Sequence, residues 1–338
     1  MQLSGDLVNT QGVLHAGGAL TLTAAHIANQ DTFNSDGNAA QRHGIHAQQL
    51  QLQAQSIDNQ HGWIAAEQSA QLSSTGLLDN RAGLIASNGS LHTTADVLSN
   101  SQGTLQSRQD QGLQARRIDG MGQVLSGRDL SVAVTEDLHN DGLIQATGRA
   151  DVNTTSVLTN PGQIRAGNLS VHAKQIDNQA SGQLIGHTTT QVQADERLSN
   201  RGLIDGQSTR IDAGTIDNVG TGRLYGDHLS VHASALTNHD ETVDGKSSAA
   251  VIAARDQLDI GAGSVTNQEH AQMLSAGSGV AALRIGGGLD ADGHASGQAQ
   301  RIDNASATIE SLGGMSLAAA TLTNRCQQRK YIDPLASE

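Results

Sequence analysis

Aromatic side chains are almost missing from this sequence, which has one Phe, one Trp and two Tyr in 338 residues. So few large rings cannot fill a compact core of that size, and the interior must be built from Ile, Leu, Val and Ala in thin layers. Cysteine is nearly absent too. Cys326 stands alone, which excludes an internal disulfide and any Cys-rich zinc site. Two prolines against 39 glycines fit many tight turns and few rigid linkers. Basic residues are outnumbered, 20 Lys and Arg to 33 Asp and Glu, for a net charge of −13. With no basic stripe, nucleic acid is excluded as a partner. No apolar run approaches the roughly 18 residues of a membrane span. The opening MQLSGDLVNTQG lacks the basic and apolar regions of a signal peptide and enters the pattern below at once. The chain therefore reads as an internal piece of a longer protein.

What is present is a repeat. Leu138–Asn178 runs twice through one order: an aliphatic residue, one residue, Asn, a short turn and Gly. Then follow Ile at Gly+2, a small residue at Gly+4, two apolar residues spaced by two, and Ile or Leu two before the next Asn. The Asn register falls at Asn9, Asn29, Asn59, Asn80, Asn100, Asn140, Asn160, Asn178, Asn200, Asn218, Asn238, Asn267, Asn304 and Asn324. Most of these spacings are 18 to 22 residues. A fixed period in that range marks a solenoid, which has no globular size limit. At Gly120 the Asn is missing but the aliphatic is kept as Ile118. Because the register is already broken there, Gly120→Asn is expected to be neutral or stabilising.

Within a unit the apolar residues alternate in short runs, the strand period of two, and nothing sustains a helical period. The expectation is an all-β parallel β-helix of about fifteen coils of about 20 residues. Three short strands per coil and a spacing of about 4.8 Å would make roughly 70 Å of length. Residues 1–324 form the repeat, with insertions at 31–48, 239–250 and 268–300. The stretch 268–300 spans nearly two periods and misses an Asn. Residues 325–338 are read as a non-repeat tail.

The asparagines are read as a buried structural column, each amide bonding the next coil and its own turn. A buried amide without partners costs about 1–3 kcal/mol, whereas a stacked column satisfies itself. No catalytic, cofactor-binding or metal-binding residue is assigned. The recurring Asp of the IDN segments, at Asp58, Asp177, Asp217 and Asp303, is read as a solvated repeat position and not a catalytic acid. His172 and His232 share a repeat slot three coils apart, too far to share an ion. His43 and His46 lie in the first insertion and read as a solvated loop. The run Gly286–Asp290 faintly echoes a calcium nonapeptide and reads as a turn. Leucine-rich repeats are excluded because their aliphatics precede Asn by three and five residues, not two. A flat Thr array of the ice-binding kind is also absent.

The unit Gly-x-Ile-x-Ala-Gly-x-Leu-x-Leu-x-Ala-x-x-Ile-x-Asn resembles the repeats of filamentous haemagglutinin-type exoproteins. RAGNLSVHAKQIDN and GGALTLTAAHIAN match it almost residue for residue. The resemblance covers nearly the whole chain. It implies a right-handed β-helix, secreted or at the cell surface of a Gram-negative bacterium. It also implies export through an outer-membrane two-partner secretion transporter. Such proteins are adhesins or contact-dependent growth-inhibition toxins, and the repeats form their shaft. The expected role is therefore a non-enzymatic shaft segment that displays a distal module. Two alternatives stand beside it: a glycan- or receptor-binding module acting through the insertions, and a β-helical polysaccharide-degrading enzyme.

Overall fold

The computed structural model describes residues 1–33 and 43–326. The chain divides into two compact units, Met1–Asp195 and Glu196–Glu338. Each is a parallel β-solenoid, and no helix occurs among the described residues. No helix there is long and apolar enough to cross a membrane.

In the first unit one interior ladder runs Leu22, Leu52, Leu72, Thr93, Leu113, Val132, Val152, Val171, each residue paired in register with the next. A second runs Ile27, Ile57, Leu78, Leu98, Ile118, and continues through Leu138, Leu158, Ile176. In the second unit the equivalent ladders are Ile211, Val231, Ile260, Ile285, Leu317 and Ile216, Leu236, Val265, Ile302, Leu322. Strand side chains alternate between faces, so the period-two pattern sends the aliphatics inward and the polar residues out. Nearly all the ladder residues are buried; Leu322, in the last described coil, is 51% exposed. Each buried Leu or Ile contributes about 1.5–3 kcal/mol by leaving water. Polar residues intrude on this core in both units, among them Thr209, paired with Leu229 in the second, and two in the first. Thr93 occupies a leucine place, and Gln111 lies between Leu91 and Leu130, both with side-chain polar atoms buried and unpartnered.

Three strands per coil are seen as separate segments at Gln123–Ser126, Leu130–Val134 and Leu138–His139. In some other coils these strands run together into one continuous strand, as in Gln163–Asn178.

The insertions take definite forms. Of 31–48, residues 34–42 lie outside the described residues. The segment 239–250 is an antiparallel hairpin, Asp240–Val243 against Lys246–Ala249. Its turn residues Asp244 and Gly245 have φ of 50° and 74°, the left-handed pair of a type I′ turn. Within 268–300 no coil lacks its asparagine. Strands Gln272–Ser275, Leu283–Gly286 and Ala299–Ala305 make one coil, and the surplus is a hairpin arm pairing Gly288–Leu289 with Ala295–Ser296. Of the tail expected at 325–338, Arg325 still belongs to the strand Ala319–Arg325, and residues 327–338 lie outside the described residues.

Candidate functional site

The asparagines stack at one corner of the coils. In the first unit Asn9 Nδ2 donates to Asn29 Oδ1, Asn29 to Asn59, Asn59 to Asn80 and Asn80 to Asn100, each at 2.7 Å. Asn140 donates to Asn160 and Asn160 to Asn178, at 2.7 and 2.8 Å. In the second unit Asn200 donates to Asn218, Asn218 to Asn238, Asn238 to Asn267 and Asn267 to Asn304, all at 2.8 Å. Asn304 donates to Asn324 at 2.9 Å. Most of these side chains have no exposed surface; Asn9 and Asn304 are nearly buried, and Asn324 is exposed. The second amide proton reaches a main-chain carbonyl, as from Asn80 to Thr104 at 3.2 Å and Asn267 to Thr308 at 2.9 Å. The column thus has one direction, with donors pointing toward the C-terminal coils.

Glycine beside the column is a packing requirement. A Cβ on Gly103 would strike the Asn80 carbonyl oxygen and crowd Asn100 Oδ1. The same holds for Gly182 against Asn160 and Asn178.

The gap at Gly120 is closed by main chain. Asn100 Nδ2 donates to the Met121 carbonyl at 2.6 Å, and the Met121 side chain is fully buried. Asp141 Oδ1 accepts the Met121 N–H at 2.9 Å. Gly120 and Gly122 have φ of 72° and 56°. An ideal Cβ at Gly120 would collide with the Ser101 hydroxyl. The expectation that Gly120→Asn is neutral or stabilising is therefore corrected: the gap is a glycine-dependent turn with no place for an amide.

The other candidates are dispersed. Among the described residues no group of three or more His, Cys, Asp or Glu is placed to hold a metal ion. His43 Nδ1 donates to the Gln11 carbonyl at 2.6 Å, and His46 Nε2 to the His43 carbonyl at 2.9 Å. His172 meets Asp195 at 2.9 Å, and His232 lies 3.3 Å from Asp212. Asp58 accepts from Gln30, Asp217 pairs with Arg197 and His239, and Asp303 pairs with Arg325. Asp177 meets the Gln179 amide at 3.4 Å. In the Gly286–Asp290 region, Asp290 Oδ1 accepts the N–H groups of Asp292 and His294, closing the tip of the hairpin arm.

Three features escaped the sequence reading. Arg116 bridges Asp96 and Glu136 at 2.7 and 2.6 Å, a ladder across three coils. The repeat register would have found it, since 96, 116 and 136 are one slot. The Asp-Gly pair at Asp244–Gly245 was the hairpin signal. The third is Asp259, a buried carboxylate beneath the hairpin arm. It accepts from Arg284 at 2.6 and 3.0 Å, from Gln257 at 2.6 Å and from the Ala295 N–H at 2.8 Å. Burial pushes its carboxyl up, but Arg284, the Ala295 N–H and Gln257 outweigh it and hold the group below the usual carboxylate value.

The comparisons with known proteins agree with this geometry. The haemagglutinin repeat family matches residues 3–42, 32–82, 77–142 and 117–160. A protein named tRNA nuclease CdiA, from Yersinia mollaretii, is 26% identical over 203 residues, covering 58% of this chain. The chain spans 6% of that relative's length. No solved structure matches the chain. The repeat is matched across residues 3–160 and the same Asn-anchored coil recurs in the second unit, which together support a filamentous haemagglutinin-type repeat protein.

Proposed function

We propose that this chain is a structural shaft segment of a large secreted cell-surface protein, an adhesin or a contact-dependent growth-inhibition toxin. It extends and displays a distal module and carries no catalysis of its own. The observation that supports the reading is the reuse of the same inward positions in coil after coil. Inward aliphatics and the amide column are spent on joining one coil to the next, as a solenoid stabilised by nearest neighbours requires. The relative named as a tRNA nuclease does not carry that activity over, because the match spans only 6% of it. Export would use an outer-membrane two-partner secretion transporter, leaving the protein secreted or at the surface of a Gram-negative cell.

The test is removal of one coil, residues 141–160, from the full-length protein in its bacterial host. A spacer keeps its register after such a cut, because Asn140 would meet Asn178 in place of Asn160. Surface display and adhesion or target-cell inhibition are then measured. Retained display with retained or slightly reduced activity is expected. Normal display with activity abolished would show that the segment acts directly and overturn the reading.

A further inference from the structure

The chain has one Trp, and it faces outward. Trp63 begins a strand, at a place where the next coil carries Leu84. Beside it lies a groove of about 380 Å³, a size in the range of small-molecule sites. Its origin can be traced residue by residue. Val13 pairs with Gly44 in the next coil, and the residues after Gly44 and Trp63, Ile45 and Ile64, pair in turn. Gly44 has no side chain to fill the space between Val13 and Trp63. It has a φ of 111°, and a Cβ there would strike the Trp63 carbonyl oxygen, so no larger residue can close the groove. Two positions along, on the same face, His15, His46 and Ala65 pair across the same three coils, and the small Ala65 deepens the floor.

The floor is fixed in place. The His46 ring meets Trp63 edge to face, with centroids 4.3 Å apart and planes at 83°. His46 Nε2 is tied to the His43 carbonyl, and the main-chain N–H of Trp63 to the buried Thr32 hydroxyl at 2.8 Å. The rim is polar and exposed: His15, Gln48 and Glu67, with Glu67 held by Asn88 at 2.6 Å.

We propose that this groove binds one pyranose ring of a neutral glycan. An aromatic floor offers a surface to the C–H face of a sugar. Imidazole, amide and carboxylate groups on the rim match its hydroxyls as donors and acceptors. Among the described residues that line the groove there is no Lys or Arg, it carries the Glu67 carboxylate, and the whole chain has a net charge of −13. Those charges disfavour sulfated, sialylated or phosphorylated ligands. The polar rim disfavours a purely apolar one. The site is independent of the shaft reading, since a spacer can carry it or lack it.

The single Trp makes the test direct, because tryptophan emission of the whole chain reports on Trp63 alone. The chain is titrated with lactose, cellotriose and chitotriose, and in parallel with a heparin oligosaccharide and sialyllactose. A saturable shift with at least one neutral sugar, and a weaker response to the anionic ones, is expected. His15→Ala and Glu67→Ala should each weaken binding about tenfold. Gln145→Ala, on an exposed strand position elsewhere in the unit, should leave it unchanged. Trp63→Ala, followed by retention on immobilised sugar, should abolish binding. If circular dichroism shows that this variant is unfolded, Trp63→Phe and Glu67→Ala carry the test. No saturable response to any neutral sugar, a response confined to the anionic ones, or binding indifferent to both rim substitutions would each overturn the proposal.

Discussion

The intervals Asn100–Asn140 and Asn267–Asn304 are nearly equal in length, and each holds no column asparagine between its ends. They are built differently. The first contains two coils, with Thr104–Ser107 pairing Gln123–Ser126, and that strand pairing Leu143–Ala146. One coil has lost its amide, and Asn100 turns to the Met121 carbonyl instead. The second contains one coil and a hairpin arm, and Asn267 donates straight to Asn304. Distance along the sequence therefore does not count coils. A column is broken only where the main chain offers a substitute acceptor, and it runs unbroken past any insertion that leaves the corner alone. Parallel stacking demands this, because a surplus residue inside a strand would turn every inward side chain outward.

The largest effect should come from putting a charge into the unbroken interval. Asn267 is fully buried, accepts from Asn238 and donates to Asn304 and the Thr308 carbonyl. Asn267→Asp sets a carboxylate against two acceptors inside the column, at a cost of about 3–5 kcal/mol. Urea midpoints by circular dichroism would measure it. A loss under about 1 kcal/mol would mean the column is not a sealed amide stack.

Next is the anchor of the arm that lengthens that interval. Asp259→Asn removes charged hydrogen bonds to Arg284 and the Ala295 N–H, worth about 1.5–3 kcal/mol. The folded-state carboxyl sits below its ordinary value, so its stabilisation is complete above the unfolded value near ~4 and fades as pH falls through the folded one. Wild type and variant should differ in melting temperature at pH 7 and converge below about pH 4. The Ala295 amide should exchange faster in the variant, while the Asn267 side-chain amide stays protected. Faster exchange at Asn267 as well would show that the arm supports the column after all.

The broken interval gives a smaller effect of the opposite kind. Gly120→Asn restores the repeat's consensus residue, yet the backbone there is left-handed and the space is held by Ser101. Overpacking should cost about 1 kcal/mol or more. A gain in stability would mean that Asn100 releases the Met121 carbonyl and takes the new amide.

This contrast also marks how much of the molecule was legible beforehand. The inward ladders were, because Leu158 and Asn160 are two residues apart on an alternating strand, and both are buried. The arm at 287–298 was not. Gly261 and Gly286 are glycines because that arm lies on the sheet above them, with the Gly288 and Ser296 main chain where their Cβ atoms would stand. From sequence they looked like loss of pattern. Likewise the groove at Trp63 depends on the positive φ of Gly44, which no period reveals. Repetition exposes what each coil shares. It hides what one coil does alone, because a departure from the pattern reads the same whether it is a turn, an arm or a site.

The smallest expected effect decides whether the column is special among asparagines. Asn153 and Asn160 lie on neighbouring strands of one coil, Arg149–Thr154 and Val157–Asn160. Asn153 follows the buried Val152 and is half-buried on the outer face, paired in register with Ala133 and His172. Asn160 is fully buried, accepting from Asn140 and donating to Asn178. Asn160→Ala removes the acceptor of the Asn140 side-chain amide and the donor to Asn178 Oδ1, which costs about 1–3 kcal/mol. Asn153→Ala strands nothing, since water reaches its place, and the Ala133 of the adjoining coil shows that the slot takes a methyl group. Its change should stay within about 0.5 kcal/mol. Denaturant midpoints for the two variants at one pH make the comparison. Equal tolerance would mean that the chain draws no net stability from the stacked amides, and that the aliphatic ladders alone hold the coils in register.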